Sequence, residues 1–140
     1  MNFMKYRFID HTADIAFEVF GKNLNELFEN ATLAFYDAFV HTEKLGDETV
    51  EVEVEAEDVD YLLFKWLGEL LYLFDTEFFG GKTCEVEVLT EPPNKTAKGR
   101  IVGGRLTPEM IKVEPKAITL HNFKVEKKNG GWYAFVVIDI

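Results

Sequence analysis

Thr49-Val-Glu-Val-Glu-Val-Glu-Ala-Glu57, followed by Asp58-Val-Asp-Tyr-Leu-Leu-Phe-Lys-Trp-Leu67, contains a change of period that decides the fold. Val50, Val52, Val54 and Ala56 alternate with Glu51, Glu53, Glu55 and Glu57. That is the two-residue period of a strand with one dry face and one wet one. Beyond Asp58, a plausible N-cap, the apolar residues Val59, Leu62, Leu63, Trp66, Leu67, Leu70, Leu71 and Phe74 recur at helical spacing. Tyr61, Phe64 and Leu73 widen this stripe until little but Asp60, Lys65 and Glu69 is polar, so the helix is predicted to lie mostly buried against a sheet. Its aromatic residues read as core. The glutamates at i and i+2 stand about 7 Å apart along a strand, too spread to cage a cation unaided, and read as a solvated face. An acidic, partner-facing stripe is the alternative.

Upstream, apolar segments on either side of Asp10, His11 and Asp14 (Met4, Tyr6, Phe8 and Ile9 before; Ile15, Phe17, Val19 and Phe20 after) predict strand, tight turn, strand. Gly21 ends the second strand. Asn23, with Glu26 three residues on, opens an amphipathic helix reaching about Phe39. His41 just beyond reads as a surface histidine. Downstream, Phe78, Phe79, Gly80 and Gly81 read as the connection that ends the long helix, either a packed loop or an exposed contact patch. Lys82-Thr-Cys-Glu-Val-Glu-Val-Leu89 alternates as a strand, and Pro92-Pro93 marks a loop. Gly103-Gly104-Arg105 lacks the spacing of a phosphate cradle and reads as a bend or bulge. Asn129-Gly130 is a two-residue hairpin turn between an arm holding Ile118, Leu120, Phe123 and Val125 and the run Trp132-Tyr-Ala-Phe-Val-Val-Ile138. Seven consecutive apolar residues cover both faces of that last strand, which is predicted to be central.

With 140 residues, 47% of them hydrophobic and 13 Phe, the chain has material for one well-filled core, and a single domain over 1–140 is expected. The lone Cys84 excludes an intramolecular disulfide and has no CxxC spacing, which favours a reducing, cytoplasmic location. No apolar run reaches the roughly 18 residues of a membrane span, and no signal-peptide pattern opens the chain, so a soluble, unprocessed protein without membrane association is expected. A formal charge of −10 works against strong direct binding of nucleic acid and suits docking on a basic protein, or simply solubility.

Three metal-competent side chains, Asp10, His11 and Asp14, fall within five residues at the first turn. Asp139 and the α-carboxylate of Ile140 add two charges at the end of the buried last strand, where a cation, a basic side chain or water must compensate them. If these groups share a corner, hard oxygen donors in that number fit Ca²⁺, Mg²⁺ or Mn²⁺ better than zinc. Asp10 as a turn-former and His11 as a structural cap are the plainer readings.

Phe8-Ile-Asp-His-Thr-Ala-Asp-Ile-Ala16 and the residues to Gly21 closely resemble the N-terminal signature of the archease family. Lys116-Ala-Ile-Thr-Leu-His121, Val136-Val-Ile-Asp-Ile140 and the helix around Leu62 to Leu67 resemble that family too, so the resemblance runs over essentially the whole chain. It implies a small acidic protein that assists the RtcB-type GTP-dependent RNA ligase, the enzyme that joins tRNA halves after intron removal. It also implies a divalent-metal site, with Asp14 and Asp139 as ligands, the Ile140 carboxylate and His11 next, and Asp10 after them. Lys116 is the expected cationic group beside the cluster, the alternative being an exposed lysine at a strand start.

Two functions of different class, with a third, follow. One is a non-enzymatic activator that eases formation of the ligase–guanylate intermediate and allows multiple turnover. The second is a free-standing divalent-metal-dependent hydrolase using the same carboxylates. The third is a chaperone-like binding module using the Phe78-Phe79 region. The predicted architecture is α+β, a mostly antiparallel sheet of about six to seven strands with two helices packed on it, in the order ββαβα and then strands only.

Overall fold

The computed structural model describes residues 4–10 and 14–140. Its elements are β1 (Tyr6–Ile9), β2 (Asp14–Gly21), α1 (Leu24–Phe39), β3 (Glu48–Ala56), α2 (Val59–Glu77), β4 (Phe79–Leu89), β5 (Lys95–Arg105), β6 (Ala117–Lys128) and β7 (Gly131–Asp139), with single 3-10 turns at Thr42–Lys44 and Pro108–Met110. The α+β class and the predicted element order hold. The seven strands do not form one sheet, however: they divide into a four-stranded sheet of order β1-β2-β7-β6 and a three-stranded sheet of order β3-β5-β4, all pairs antiparallel. One apolar cluster runs through both sheets and both helices. In it α1 packs on β2 and β4 and α2 on β3 and β6, so each helix spans the gap between the sheets.

The caps are those the sequence implies. Asn23 Oδ1 accepts from the Glu26 N–H at 2.9 Å, and Asp58 Oδ1 accepts from the Tyr61 N–H at 2.8 Å, each satisfying an orphan donor of a first turn. A buried relay locks the helices together: Trp66 Nε1 donates to Thr32 Oγ1 at 2.8 Å, and that hydroxyl donates to the Phe28 carbonyl at 2.8 Å. The open edge of β4 is covered by α1, whose Glu29 and Asn25 side chains accept from the N–H groups of Val86 at 2.9 Å and Val88 at 2.7 Å.

Two expectations need correction. Phe79, Gly80 and Gly81 are not a connection; they begin β4 and are buried, and Phe78 alone, left-handed at φ 52°, caps α2 and is exposed. Gly103 and Gly104 are no bend; they lie in β5 paired with β4, and the irregularity is on β4 between Gly81 and Thr83. A Cβ on Gly103 would stand 1.9 Å from the Gly80 carbonyl oxygen, so glycine there permits two backbones to approach. The glutamate ladder of β3 is neighboured by basic residues of β5, Glu51 opposite Arg100 and Glu53 opposite Lys98, with Glu85 and Glu87 of β4 on their other side. That arrangement fits the solvated-face reading, with charges of both signs interleaved across the sheet.

Candidate functional site

β7 is central in its sheet, as its apolar run predicts. Ala134, Val136 and Ile138 face the core with their partners Val19, Phe17 and Ile15 of β2. Side chains alternate, so Asp139 leaves the opposite face, and its register partner across the pair is Asp14. Direct partners in an antiparallel pair have Cβ atoms about 4.5–5.5 Å apart. On the other side Asp139 is paired with Ala117, and the Lys116 N–H donates to the Asp139 carbonyl at 2.8 Å. The end of the sheet thus gathers Asp14 with Asp139 and Lys116, both more than a hundred positions further along the sequence, on three adjoining segments.

The remaining predicted residues stand differently. Asp10 follows β1 by one residue and is exposed. His11 lies outside the described residues. Ile140 continues past β7 with its side chain half-buried against the core. His121 is exposed in the irregular stretch of β6 between Thr119 and Lys124, away from the paired end. His41 is on the surface, 3.7 Å from a Glu43 carboxylate oxygen.

Among the described residues no group of three His, Cys, Asp or Glu side chains is disposed to hold a metal ion. The two carboxylates suit a hard cation by chemistry, but Ca²⁺ takes about six to eight oxygens, so Asp14 and Asp139 supply a minority of any such shell. Sequence reasoning missed Thr119. It pairs with Val137, two residues from Asp139 on the same face, and its hydroxyl is buried with no hydrogen-bond partner among the described residues. A buried polar group left unpaired is costly, and its place in the fold asks for a reason. The spacing Lys116, Thr119 carries no signal for it, because the position becomes meaningful only through pairing with β7.

Further along the same face a second polar group is built. Glu18 Oε1 accepts from the Arg7 guanidinium, with Nε at 2.9 Å, and Glu18 Oε2 accepts from the Tyr133 hydroxyl at 2.5 Å. The Tyr133 bond, then Arg7 and the charge of Lys128, hold the Glu18 carboxyl below its ordinary value against the effect of burial. Burial and Glu18 push the Tyr133 hydroxyl up to about 12. Cys84 is a free, half-buried thiol, pushed up to about 12 by burial and by the charge of Glu29. At neutral pH it is protonated and behaves as a small hydrophobe.

No helix among the described residues is long and apolar enough to cross a membrane. The sequence pattern of the Archease protein family matches residues 6–140. An archease of Archaeoglobus fulgidus is 66% identical over 138 residues, covering 98% of this chain and all of that one. An archease of Pyrococcus abyssi is 38% identical and covers 97% and 99% of the two chains. The solution structure of Methanobacterium thermoautotrophicum protein 1598 superposes with a TM-score of 0.86 at 32% identity, covering 97% of this chain and 99% of that one. A crystal structure from Thermotoga maritima, described as an archease and possible chaperone, shares the fold at a TM-score of 0.58 and 23% identity, each chain covered in full. With a family pattern spanning nearly its whole length and a relative two-thirds identical end to end, this chain belongs to the archease family.

Proposed function

We propose that this chain is a non-enzymatic accessory protein, cytoplasmic, that activates the RtcB-type GTP-dependent RNA ligase in tRNA splicing by easing guanylylation of the ligase and so permitting multiple turnover. The observation that carries the reading is the pairing of Asp14 with Asp139 at the end of the β2–β7 ladder, beside Lys116. Two carboxylates on paired strands, with the backbone of Lys116 tied to the second of them, form an acidic corner able to orient a cation or a partner's basic group near a reacting phosphate. A divalent ion, Ca²⁺ or Mg²⁺/Mn²⁺, would be held by Asp14 and Asp139 and would supply positive charge for phosphate oxygens. Asp10, His11 and the Ile140 carboxylate are proposed to complete its surroundings. The chain's own part is to hold the two carboxylates apart at ladder spacing and to keep Lys116 tied to the Asp139 backbone. Net charge of −10 suits approach to a basic enzyme and gives the chain no means of gripping RNA strongly by itself.

The test is RNA joining with the ligase limiting and substrate in excess. Addition of this protein is expected to turn a single stalled round into many, with the ligase–guanylate adduct re-formed after each round. Phosphodiester or phosphate-ester hydrolysis by this protein with no ligase present would favour the metal-hydrolase alternative instead. A chaperone-like module using the Phe78-Phe79 region is a second reading, supported by the description of the Thermotoga maritima relative, although of that pair only Phe78 is exposed. It predicts that the ligase is helped only by being kept folded, whatever the state of the acidic corner.

A further inference from the structure

At the end of the β2–β7 pair away from Asp14 and Asp139, seven residue steps or about 24 Å along the strands, the charge reverses. Lys5, Arg7, Lys22, Lys124, Lys127 and Lys128, six of the fifteen basic residues, lie on β1, β2, β6 and their ends. Two carboxylates lie among them: Glu18, engaged by Arg7 and Tyr133 and within the field of Lys128, and Glu126, the register partner of Tyr133. A cleft of about 400 Å³ opens there, walled by Met4, Phe20, Trp132 and Tyr133 with Lys22 and Lys128 among its lining residues. Aromatic rings and glycine backbone make up most of its lining. Lys128 Nζ stands 4.4 Å from the centre of the Tyr133 ring and Lys127 Nζ 5.7 Å from that of Trp132, so the cations are held beside the aromatic walls. The hairpin turn closes one end, with Asn129 and Gly130 both left-handed and open space beside Gly130.

The geometry points to a binding site for a nucleoside phosphate, its base in the aromatic cleft beside Phe20 and its phosphate at Lys128. Aromatic walls take a flat ring, and lysines at the rim take an anion. The size is that of a small-ligand pocket and admits one ring with its sugar and phosphate. The net charge of −10 of the whole chain repels a long polyanion, so a compact ligand that meets only this local positive patch is favoured. The site is independent of the acidic corner and of the ligase.

Trp66 is fully buried, so a change in tryptophan fluorescence on adding ligand reports Trp132. The experiment titrates the protein with AMP, adenosine, inorganic phosphate and a 5′-phosphorylated oligoadenylate, following that emission and the amide signals of Gly130 and Gly131 by NMR. AMP is expected to bind, with adenosine and phosphate alone each at least about tenfold weaker, and Lys128→Ala is expected to lose about tenfold while Lys98→Ala, on the other sheet, loses nothing. Oligoadenylate binding as tightly as AMP identifies the end of an RNA strand as the source; AMP binding alone identifies the free nucleotide. The inference is overturned if no nucleotide binds, if phosphate binds as well as AMP, if Lys128→Ala is without effect, or if only an acidic peptide occupies the cleft.

Discussion

Asp14 and Asp139 are direct register partners on antiparallel strands, so both carboxylates leave the same face of the sheet at the same level. Like charges directly opposite one another on a ladder destabilise the pairing. In the presence of a chelator, Asp139→Asn is therefore expected to raise stability by about 0.2–1 kcal/mol. Adding Ca²⁺, Mg²⁺ or Mn²⁺ is expected to raise the Tm of the intact protein, by about 2.7 kcal/mol of stability at a hundredfold excess over Kd, and to leave the variant nearly unmoved. Thermal melts with and without each ion check both statements; an equal shift in the variant would remove the metal from the account.

The buried indole N–H of Trp66 on α2 donates to the Thr32 hydroxyl on α1, a hydrogen bond that joins the two helices. Thr32→Val keeps the shape and leaves the buried N–H unpaired, at a cost of about 1–3 kcal/mol in urea unfolding. Thr32→Ser keeps the oxygen and loses a methyl, about 0.8 kcal/mol. The order of the two variants is the test.

Two glycines separate two mechanisms. At Gly103 a Cβ would press within 1.9 Å of the Gly80 carbonyl oxygen, so Gly103→Ala must part β4 from β5 and is expected to cost about 3 kcal/mol or more. At Gly130 there is open space but φ is +81°, so Gly130→Ala costs only backbone strain, about 1–2 kcal/mol. Denaturant midpoints measured side by side distinguish them.

Glu18 links stability to pH. Its folded carboxyl titrates below the ordinary 4.5, chiefly because of the Tyr133 hydroxyl. Its contribution is therefore complete above 4.5 and is lost as pH falls from there through the lowered value. Tyr133 itself is raised from 10 to about 12, so its contribution is complete below 10 and is lost as pH rises through 12. Tyr133→Phe is expected to be less stable at pH 7, with a flatter decline below pH 4.5 and without the alkaline decline; urea midpoints across pH follow all three.

Much of this fold was legible because local signals agreed with one another. The alternation from Val50 to Ala56, the cap at Asp58, the helical stripe to Phe74 and the Asn129-Gly130 turn each carry their own physical warrant, and each stands as read. The division into two sheets was not legible. It depends on β2 finding β7 across the whole chain while β3 finds β5 and β4, choices made by packing over long sequence separation and not by period. Phe79 to Gly81 misled for a related reason: two glycines signal a break locally, yet here they let β4 pass close to β5 and to Tyr36. Of the site, the gathering of Asp14, Asp139 and Lys116 was within reach of the motifs. The buried Thr119 hydroxyl and the Arg7–Glu18–Tyr133 group were not, since both exist only once the register is set.

The most direct measurement is multiple-turnover RNA joining by the limiting ligase with the intact protein, with Asp14→Asn and Asp139→Asn, and with Lys98→Ala as a control far from the corner, each variant first shown by its melt to be folded. The account predicts many rounds with the intact protein and the control, and about one round per ligase with either aspartate variant. Full turnover with both aspartate variants would contradict it.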